Sequence, residues 1–175
     1  MGKEVVIIVD MQRGFLEPGN PLYCGDEVRE KVIPAVKELV EKKLKEGAVL
    51  VFTQDSHAPD DPEFKMWPPH CIRGTEEEEI VPELSSYPGF RVKKTRYSGF
   101  YGTNLEEILK RLKPEKVTVC GVCTDICVLY TVADLRNRDY DVEVHERCVA
   151  SFDRDAHEFV LRHMEKVLGV RVIRD

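Results

Sequence analysis

Short apolar runs rich in β-branched residues alternate along this 175-residue chain with stretches whose apolar residues recur at helical spacing. The runs lie at residues 5–9, 48–52, 91–94, 116–120, 141–145 and 170–173. A strand that is apolar at nearly every position fits a sheet whose two faces are both covered by helices. The alternation therefore predicts an α/β fold with a largely parallel sheet.

The segments between the predicted strands indicate helices at residues 28–45, 105–112, 124–138 and 154–168. Pro34 lies within the first helix and predicts a kink or a late helix start. Thr124 or Asp125 is predicted to cap the third helix. No repeat, low-complexity tract or flexible linker divides the chain, so one domain is predicted over residues 1–175.

The charge balance and the cysteines limit the class of protein. The chain has 26 lysines and arginines against 32 aspartates and glutamates, and the basic residues are scattered, which argues against nucleic-acid binding. No apolar run approaches the ~20 residues that cross a bilayer, and the first residues lack an export signal. We therefore expect a cytoplasmic protein without membrane association. Its six cysteines are expected to be thiols, with Cys24, Cys120 and Cys148 in structural roles.

One group of candidate catalytic residues follows the predicted strands, whose carboxyl ends share one edge of a parallel sheet. Cys127 lies near the start of a predicted helix, where the helix dipole is expected to lower the pKa of its thiol below the usual ~8.5. Asp10 ends an apolar strand and is suited to act as a base, and Lys94 is placed to steady both groups. Taken alone, each residue also fits an ordinary role, as a core cysteine, a helix cap or a solvated lysine.

A second group of polar residues follows the run at residues 48–52. Asp55 and His57 point the same way in an extended chain, and Glu63 and His70 come from the following loop. Two carboxylates with two imidazoles form a ligand set that suits Zn²⁺, Mn²⁺ or Fe²⁺. The alternative interpretation is a solvated acidic loop with incidental histidines.

Several short motifs carry these residues, in one order along nearly the whole chain. They read Val9-Asp10-Met11-Gln12, Thr53-Gln54-Asp55-Ser56-His57, Trp67-Pro68-Pro69-His70-Cys71, Lys94-Thr95-Arg96-Tyr97-Ser98-Gly99-Phe100 and Gly121-Val122-Cys123-Thr124-Asp125-Ile126-Cys127-Val128. In this combination the chain resembles the isochorismatase-like cysteine hydrolases, and within them the nicotinamidases, also called pyrazinamidases. The resemblance implies a three-layer α/β/α sandwich with a six-stranded, mainly parallel sheet.

For catalysis, the resemblance implies a triad of Cys127, Asp10 and Lys94. It also implies an oxyanion hole made by the backbone amides of Cys123 and Cys127, with a cis peptide between Val122 and Cys123. Many relatives have alanine at the position of Cys123. A backbone donor tolerates either residue, so this departure leaves the implied oxyanion hole unchanged.

The resemblance further implies one divalent metal ion, with zinc as the first choice and manganese or iron as alternatives. The matching ligand positions are Asp55, His57, Glu63 and His70. Glu63 has competitors, because Asp60 and Asp61 stand nearby in the same loop. Contacts to the substrate ring fall on Phe15, Trp67 and Tyr97.

The implied function is that of an amidohydrolase that converts nicotinamide and water to nicotinate and ammonia and also accepts pyrazinamide. Nicotinamide is then the small-molecule partner, and assembly into a homo-oligomer stays open. One alternative is another hydrolase of the same family, acting on isochorismate, an N-carbamoyl amide or ureidoacrylate. A second alternative, from a different class, is a non-catalytic metal-binding or thiol-sensing protein.

Overall fold

Six parallel strands form a single sheet in the computed structural model, which describes residues 3–174. The strands are β1 (Glu4–Val9), β2 (Val49–Asp55), β3 (Phe90–Lys94), β4 (Lys116–Val122), β5 (Val142–Ala150) and β6 (Arg171–Ile173). Their order is β3-β2-β1-β4-β5-β6, and every neighbouring pair is parallel. The predicted α/β class is confirmed, with a sheet that is parallel throughout these pairs. The ends of the predicted domain, Met1, Gly2 and Asp175, lie outside the described residues.

Helices cover both faces of the sheet. One face carries α1 (Arg13–Leu16), α2 (Asp26–Lys45) and α3 (Pro82–Ser85), and the other carries α4 (Leu105–Leu112), α5 (Leu129–Asn137) and α6 (Arg154–Lys166). An apolar core lies between the sheet and the helices on each face, and alternate side chains of β1 pack into one core or the other. Val6 and Ile8 pack with the first set of helices, whereas Val5, Ile7 and Val9 pack with the second. Among the described residues, no helix is both long and apolar enough to cross a membrane.

Two helix predictions need correction. Because α2 begins at Asp26, well ahead of Pro34, the prediction of a late start is wrong. Neither Thr124 nor Asp125 caps α5, because the chain first passes through a π-helical turn over Thr124–Val128. The hydroxyl of Thr124 instead pairs with Nδ1 of His157, 2.7 Å away. A local capping pattern does not reveal that distant partner.

The carboxyl ends of β3, β2, β1 and β4 meet at one edge of the sheet. Lys94 is paired with Asp55, and Val9 is paired with both Thr53 and Gly121. Gly121 has a φ of 117°, and a Cβ atom there would lie 2.1 Å from the carbonyl oxygen of Val9. Glycine therefore permits this close approach of β4 to β1. The edge brings together polar residues from segments that are far apart in the sequence.

Candidate active site

Lys94 lies at the centre of the polar residues on this edge, with its side chain buried. Its Nζ atom is 2.8 Å from Oδ2 of Asp10 and 2.5 Å from Oδ1 of Asp55. The same atom donates to Sγ of Cys127 at 3.4 Å and to the carbonyl oxygen of Arg96 at 2.9 Å. The structure thus brings together Asp10, Lys94 and Cys127, which we call the nucleophile group.

Two further polar residues hold Asp10 and Asp55 in place. Thr53 donates through Oγ1 to Oδ1 of Asp10 at 2.7 Å. Gln12 donates through Nε2 to the carbonyl oxygen of Asp55 at 2.8 Å, and its Oε1 accepts from the backbone amide of Asp55 at 2.8 Å. Neither residue was predicted to have a role. For Thr53, the available signal was a polar side chain within an apolar strand, where it needs a partner.

Burial and charge shift the pKa values of the two carboxyl groups that contact Lys94 in opposite directions. Burial raises the pKa of Asp10 above its ordinary value, and the charge of Lys94 offsets this only in part. Burial also acts to raise the pKa of Asp55, but Lys94 and the neighbouring histidines outweigh it and hold that pKa below its usual range. Burial alone lowers the pKa of Lys94, yet the two carboxylates shift it well above its ordinary value. Lys94 is therefore charged, and Asp10 is the carboxyl that takes up a proton more readily.

The expectation of a lowered thiol pKa at Cys127 is wrong. Burial raises the pKa of this thiol well above its ordinary value, and the opposing charge of Lys94 does not cancel the effect. Cys127 lies in the π-helical turn rather than at a regular helix start, which removes the geometry behind the expectation. Carboxylate oxygens of Asp10 and Asp55 and Sγ of Cys127 lie within 4.8 Å of one another. A buried thiol of this kind needs an adjacent base to become a nucleophile, and Asp10 is adjacent.

A second set of buried side chains forms the ligand group, which consists of Asp55, His57, Glu63 and His70. Each offers one ligand atom, and all four atoms lie within 4.8 Å of one another. Nε2 of His57 is 3.5 Å from Oδ2 of Asp55 and 3.3 Å from Oε2 of Glu63. Nε2 of His70 is 3.6 and 3.5 Å from the same two oxygens. These spacings resemble the ~3.4 Å between tetrahedral ligand atoms placed ~2.1 Å from one metal ion.

The electrostatics of the ligand group also fit a cation. Nε2 of His57 is buried and makes no hydrogen bond to any residue in the described range 3–174. Burial lowers the pKa of His57, but Asp55 and Asp61 outweigh it and raise that pKa. Burial and the charge of Asp55 together raise the pKa of Glu63. Asp55 contributes to both shifts, and a divalent metal ion would neutralise its negative charge and that of Glu63.

Asp61 lies behind the ligand group rather than in it. Its Oδ2 is 2.9 Å from Nδ1 of His57, and its Oδ1 accepts from the backbone amide of Glu63 at 2.8 Å. Arg96 donates to both oxygens, at 2.9 and 3.1 Å. The other competitor, Asp60, is exposed. Of the three acidic residues in this loop, Glu63 is therefore the one that faces the two histidines.

A cavity of about 280 Å³ opens onto both groups and is lined by Asp10, Cys127, Glu63 and His70. Its size suits a single small ring compound. The three residues predicted to contact such a ring, Phe15, Trp67 and Tyr97, also line it. Nε1 of Trp67 donates to the hydroxyl of Tyr97 at 3.0 Å, which fixes the two rings relative to each other. Sequence reasoning gave no place at the cavity to six other lining residues, namely Pro21, Leu22, Tyr23, Cys24, Ile126 and Phe152.

The backbone beside Cys127 has the unusual feature that the resemblance implied. The peptide bond between Val122 and Cys123 is cis, so that expectation is confirmed. The carbonyl oxygen of Cys123 accepts from the amides of Ile126 and Val128 at 3.1 and 3.2 Å, within the turn that carries Cys127. Cys123 and Cys127 both line the cavity.

The fold is that of a known class of enzyme. The isochorismatase domain family matches residues 4–174. The chain therefore belongs to the isochorismatase family of hydrolases, as its motifs indicated.

Solved structures of individual family members are similar over nearly the full length. The nicotinamidase PncA from Bacillus subtilis has 34% sequence identity and a TM-score of 0.90, covering 98% of this chain and 99% of its own. The pyrazinamidase of Pyrococcus horikoshii, solved in complex with zinc, has 31% identity and a TM-score of 0.88, covering 98% and 99%. N-carbamoylsarcosine amidase from Thermoplasma acidophilum has 32% identity and a TM-score of 0.86, covering 99% and 96%.

Proposed function

We propose that the protein is a metal-dependent nicotinamidase, which converts nicotinamide and water to nicotinate and ammonia through a thioester on Cys127 and also hydrolyses pyrazinamide. The observation that carries the proposal is that Asp55 joins the two groups beside one cavity. One of its oxygens contacts Lys94, and the other faces Nε2 of His57 and His70. Relatives described as nicotinamidase and as pyrazinamidase with zinc support the same activity.

In the proposed reaction, Cys127 gives its proton to Asp10 while the sulfur attacks the carboxamide carbon. The backbone amides of Cys123 and Cys127 stabilise the oxyanion that forms, and the loss of one such donor typically costs ~2.7–4 kcal/mol. Asp10 then returns the proton to the leaving nitrogen, so ammonia departs and the thioester remains. Water attacks the thioester carbon as Asp10 takes one of its protons, and the C–S bond breaks. Asp10 passes that proton to the sulfur, which restores the thiol, and the acid product ionises to nicotinate. The charge of Lys94 holds Asp10 in position throughout.

The ligand group and the aromatic residues bind the substrate in this proposal. A divalent metal ion held by Asp55, His57, Glu63 and His70, with zinc first and manganese or iron as alternatives, supplies a coordination site for the pyridine nitrogen. Phe15, Trp67 and Tyr97 enclose the ring. Holding both ends of nicotinamide places its carboxamide at Cys127, and such positioning contributes strongly to rate.

A second candidate is hydrolysis of an N-carbamoyl amide, which similarity to N-carbamoylsarcosine amidase favours. That substrate has no ring nitrogen to use the ligand group. Ammonia release is measured from nicotinamide, pyrazinamide, benzamide and N-carbamoylsarcosine, with the metal content determined in the same sample. We expect turnover of the first two and poor turnover of benzamide, which lacks the ring nitrogen. Turnover of N-carbamoylsarcosine alone would replace the proposal with the second candidate.

A further inference from the structure

A pair of thiols that the proposed reaction does not use borders the catalytic cavity. Sγ of Cys24 lies 3.6 Å from Sγ of Cys123, although the two residues are 99 positions apart in sequence. Cys24 belongs to the loop of residues 17–25 between α1 and α2, and Cys123 directly follows β4. From the sequence Cys24 is expected to be a structural thiol, because nothing local indicates the second sulfur.

The two sulfur atoms are close to covalent reach. A disulfide has an S–S distance of ~2.05 Å, so the sulfurs at 3.6 Å need to approach by roughly 1.5 Å. Cys24 lies in a loop outside the sheet, where its backbone amide donates to the carbonyl oxygen of Phe15 at 2.8 Å. The loop can therefore shift without the loss of any strand pairing.

A small oxidant can reach both residues. Cys24 and Cys123 line the same cavity as Cys127. Cys24 also lines a second, wider cavity of about 780 Å³ between α2 and β5. By contrast, Cys120 is fully buried within β4. Cys120 therefore serves as the control cysteine outside the pair.

We propose that Cys24 and Cys123 form an oxidative modification site, at which hydrogen peroxide converts the two thiols to a disulfide. One sulfur attacks a peroxide oxygen, the O–O bond breaks, and a sulfenic acid and one water form. The other sulfur attacks the sulfenic sulfur, the S–S bond forms, and the S–O bond breaks to release a second water. The two thiols lose two electrons and two protons, and peroxide is reduced to two waters.

Cys24 is the sulfur that reacts first. The hydrogen bond from the thiol of Cys123 lowers the pKa of Cys24, and thiolate character favours attack on peroxide. The disulfide then ties the loop of residues 17–25 to Cys123, whose backbone amide is assigned to the oxyanion hole. Because Leu22 and Tyr23 of this loop also line the cavity, the link changes the cavity wall. The loss of turnover that we expect rests on the proposed nicotinamidase function, whereas formation of the disulfide does not.

Peptide mapping tests the disulfide itself. Zinc-loaded wild-type and Cys127→Ala proteins are treated with hydrogen peroxide, alkylated, digested and analysed by mass spectrometry. We expect a peptide that links Cys24 to Cys123 in both proteins and disappears after dithiothreitol. If Cys24 and Cys123 are alkylated to the same extent in treated and untreated protein, the proposal is overturned. A link from either residue to Cys127 in its place would also overturn it.

Turnover of nicotinamide tests the consequence. Wild-type, Cys24→Ser and Cys120→Ser proteins are each compared with their own untreated rate. The peroxide dose is chosen so that most wild-type molecules carry the disulfide between Cys24 and Cys123. At that dose we expect the wild-type and Cys120→Ser proteins to lose turnover in proportion to the fraction that carries the disulfide. Dithiothreitol should restore their turnover. Cys24→Ser should keep its own rate at that dose. Equal loss in Cys24→Ser would overturn the effect on turnover. If the untreated protein does not hydrolyse nicotinamide, the proposed function fails, and the peptide map still decides the disulfide.

Discussion

The nucleophile group and the ligand group face the same cavity but are built in different ways. Lys94 ends β3, Asp10 directly follows β1, and Cys127 lies in the turn that follows β4. In the ligand group only Asp55 ends a strand, and its three other members come from the loop at residues 56–71. The sheet itself fixes the first group, whereas the second depends on contacts that order a loop.

The contacts that order this loop are specific and polar. The backbone amide of His57 donates to the carbonyl oxygen of Cys71 at 3.0 Å, and the amide of Arg73 donates to the carbonyl oxygen of His57 at 2.9 Å. Asp61 holds the ring of His57 and the backbone of Glu63 from behind. We therefore expect that substitutions can change the chemistry and the metal affinity separately. Asp55 and Lys94 are the exception, because their contact joins the two groups.

The largest effect is expected for the nucleophile. Cys127→Ala should abolish ammonia release from nicotinamide and leave the metal content unchanged, because the sulfur that forms the thioester is gone while the ligand group is intact. Ammonia assays and elemental analysis of the same sample measure both. Cys120→Ala is the matched control, since Cys120 is also a buried cysteine but lies within β4. An active Cys127→Ala protein would contradict the proposed mechanism.

Substitutions in the ligand group should remove the metal as well as the turnover. His57→Ala should lose both metal and turnover, because a buried imidazole that faces two carboxylates is removed. His163→Ala, on α6, is the control and should keep both. Chelation of the wild-type protein should stop hydrolysis, and added Zn²⁺, Mn²⁺ or Fe²⁺ should restore it. If the chelated, metal-free protein keeps full activity, the ligand group has no part in the reaction.

A smaller but still large effect is expected at the base. Asp10→Asn keeps the shape of the side chain but cannot accept a proton, so kcat should fall by ~10²–10⁴-fold, the usual contribution of general acid–base catalysis. Metal content should not change, which separates this variant from His57→Ala. Near-normal kcat in Asp10→Asn would assign the base to another group.

The pH profile of the wild-type protein sharpens the same prediction. Asp10 must be deprotonated to act as the base, and burial raises its pKa. The value of kcat/KM should therefore rise with pH through a pKa above the ordinary ~3.9 of aspartate. Metal content is measured at each pH, because protonation of the ligand group also releases metal. If kcat/KM rises through an apparent pKa at or below the ordinary value of aspartate while the metal is retained, the pKa of Asp10 is not raised.

The smallest effect is expected behind the ligand group. Asp61→Asn should weaken metal affinity by ~10–100-fold, the range typical for loss of a partner that orients a metal-binding histidine. Asp60→Asn is the control. Asp60 is the exposed neighbour of Asp61, and this variant removes the same charge but leaves the contact between Asp61 and His57 intact. Competition with a chelator of known affinity measures both variants. Equal affinities would show that Asp61 does not position His57.

The difference between the two groups also explains what the sequence could predict. Apolar strands and their terminal polar residues are local features, so the sequence alone predicts that Asp10, Asp55 and Lys94 share one edge of the sheet. The extent of β5 was less visible, because Glu146 and Arg147 interrupt the apolar pattern within a strand that runs to Ala150.

The loop needed the structure. Asp60, Asp61 and Glu63 carry the same charge within a few positions, and spacing alone does not decide which one turns inward. Burial of Glu63 and the contact of Asp61 with Arg96 depend on partners that are distant in sequence. The raised pKa of Cys127 was missed for a related reason. Burial of the thiol arises from tertiary packing, which a helix-start pattern does not report.

In the proposed reaction, the ligand group holds the substrate ring while the nucleophile group breaks the amide bond. Binding of nicotinamide to the Cys127→Ala protein separates the two roles, because this protein can bind the substrate without turnover. One preparation is titrated by calorimetry in two forms, loaded with zinc and stripped of zinc. Nicotinamide is compared with benzamide, which lacks the ring nitrogen. We expect nicotinamide to bind the zinc-loaded protein far more tightly than the stripped protein and benzamide to bind both weakly. Equal affinity of nicotinamide for the two forms would show that the ligand group does not hold the ring.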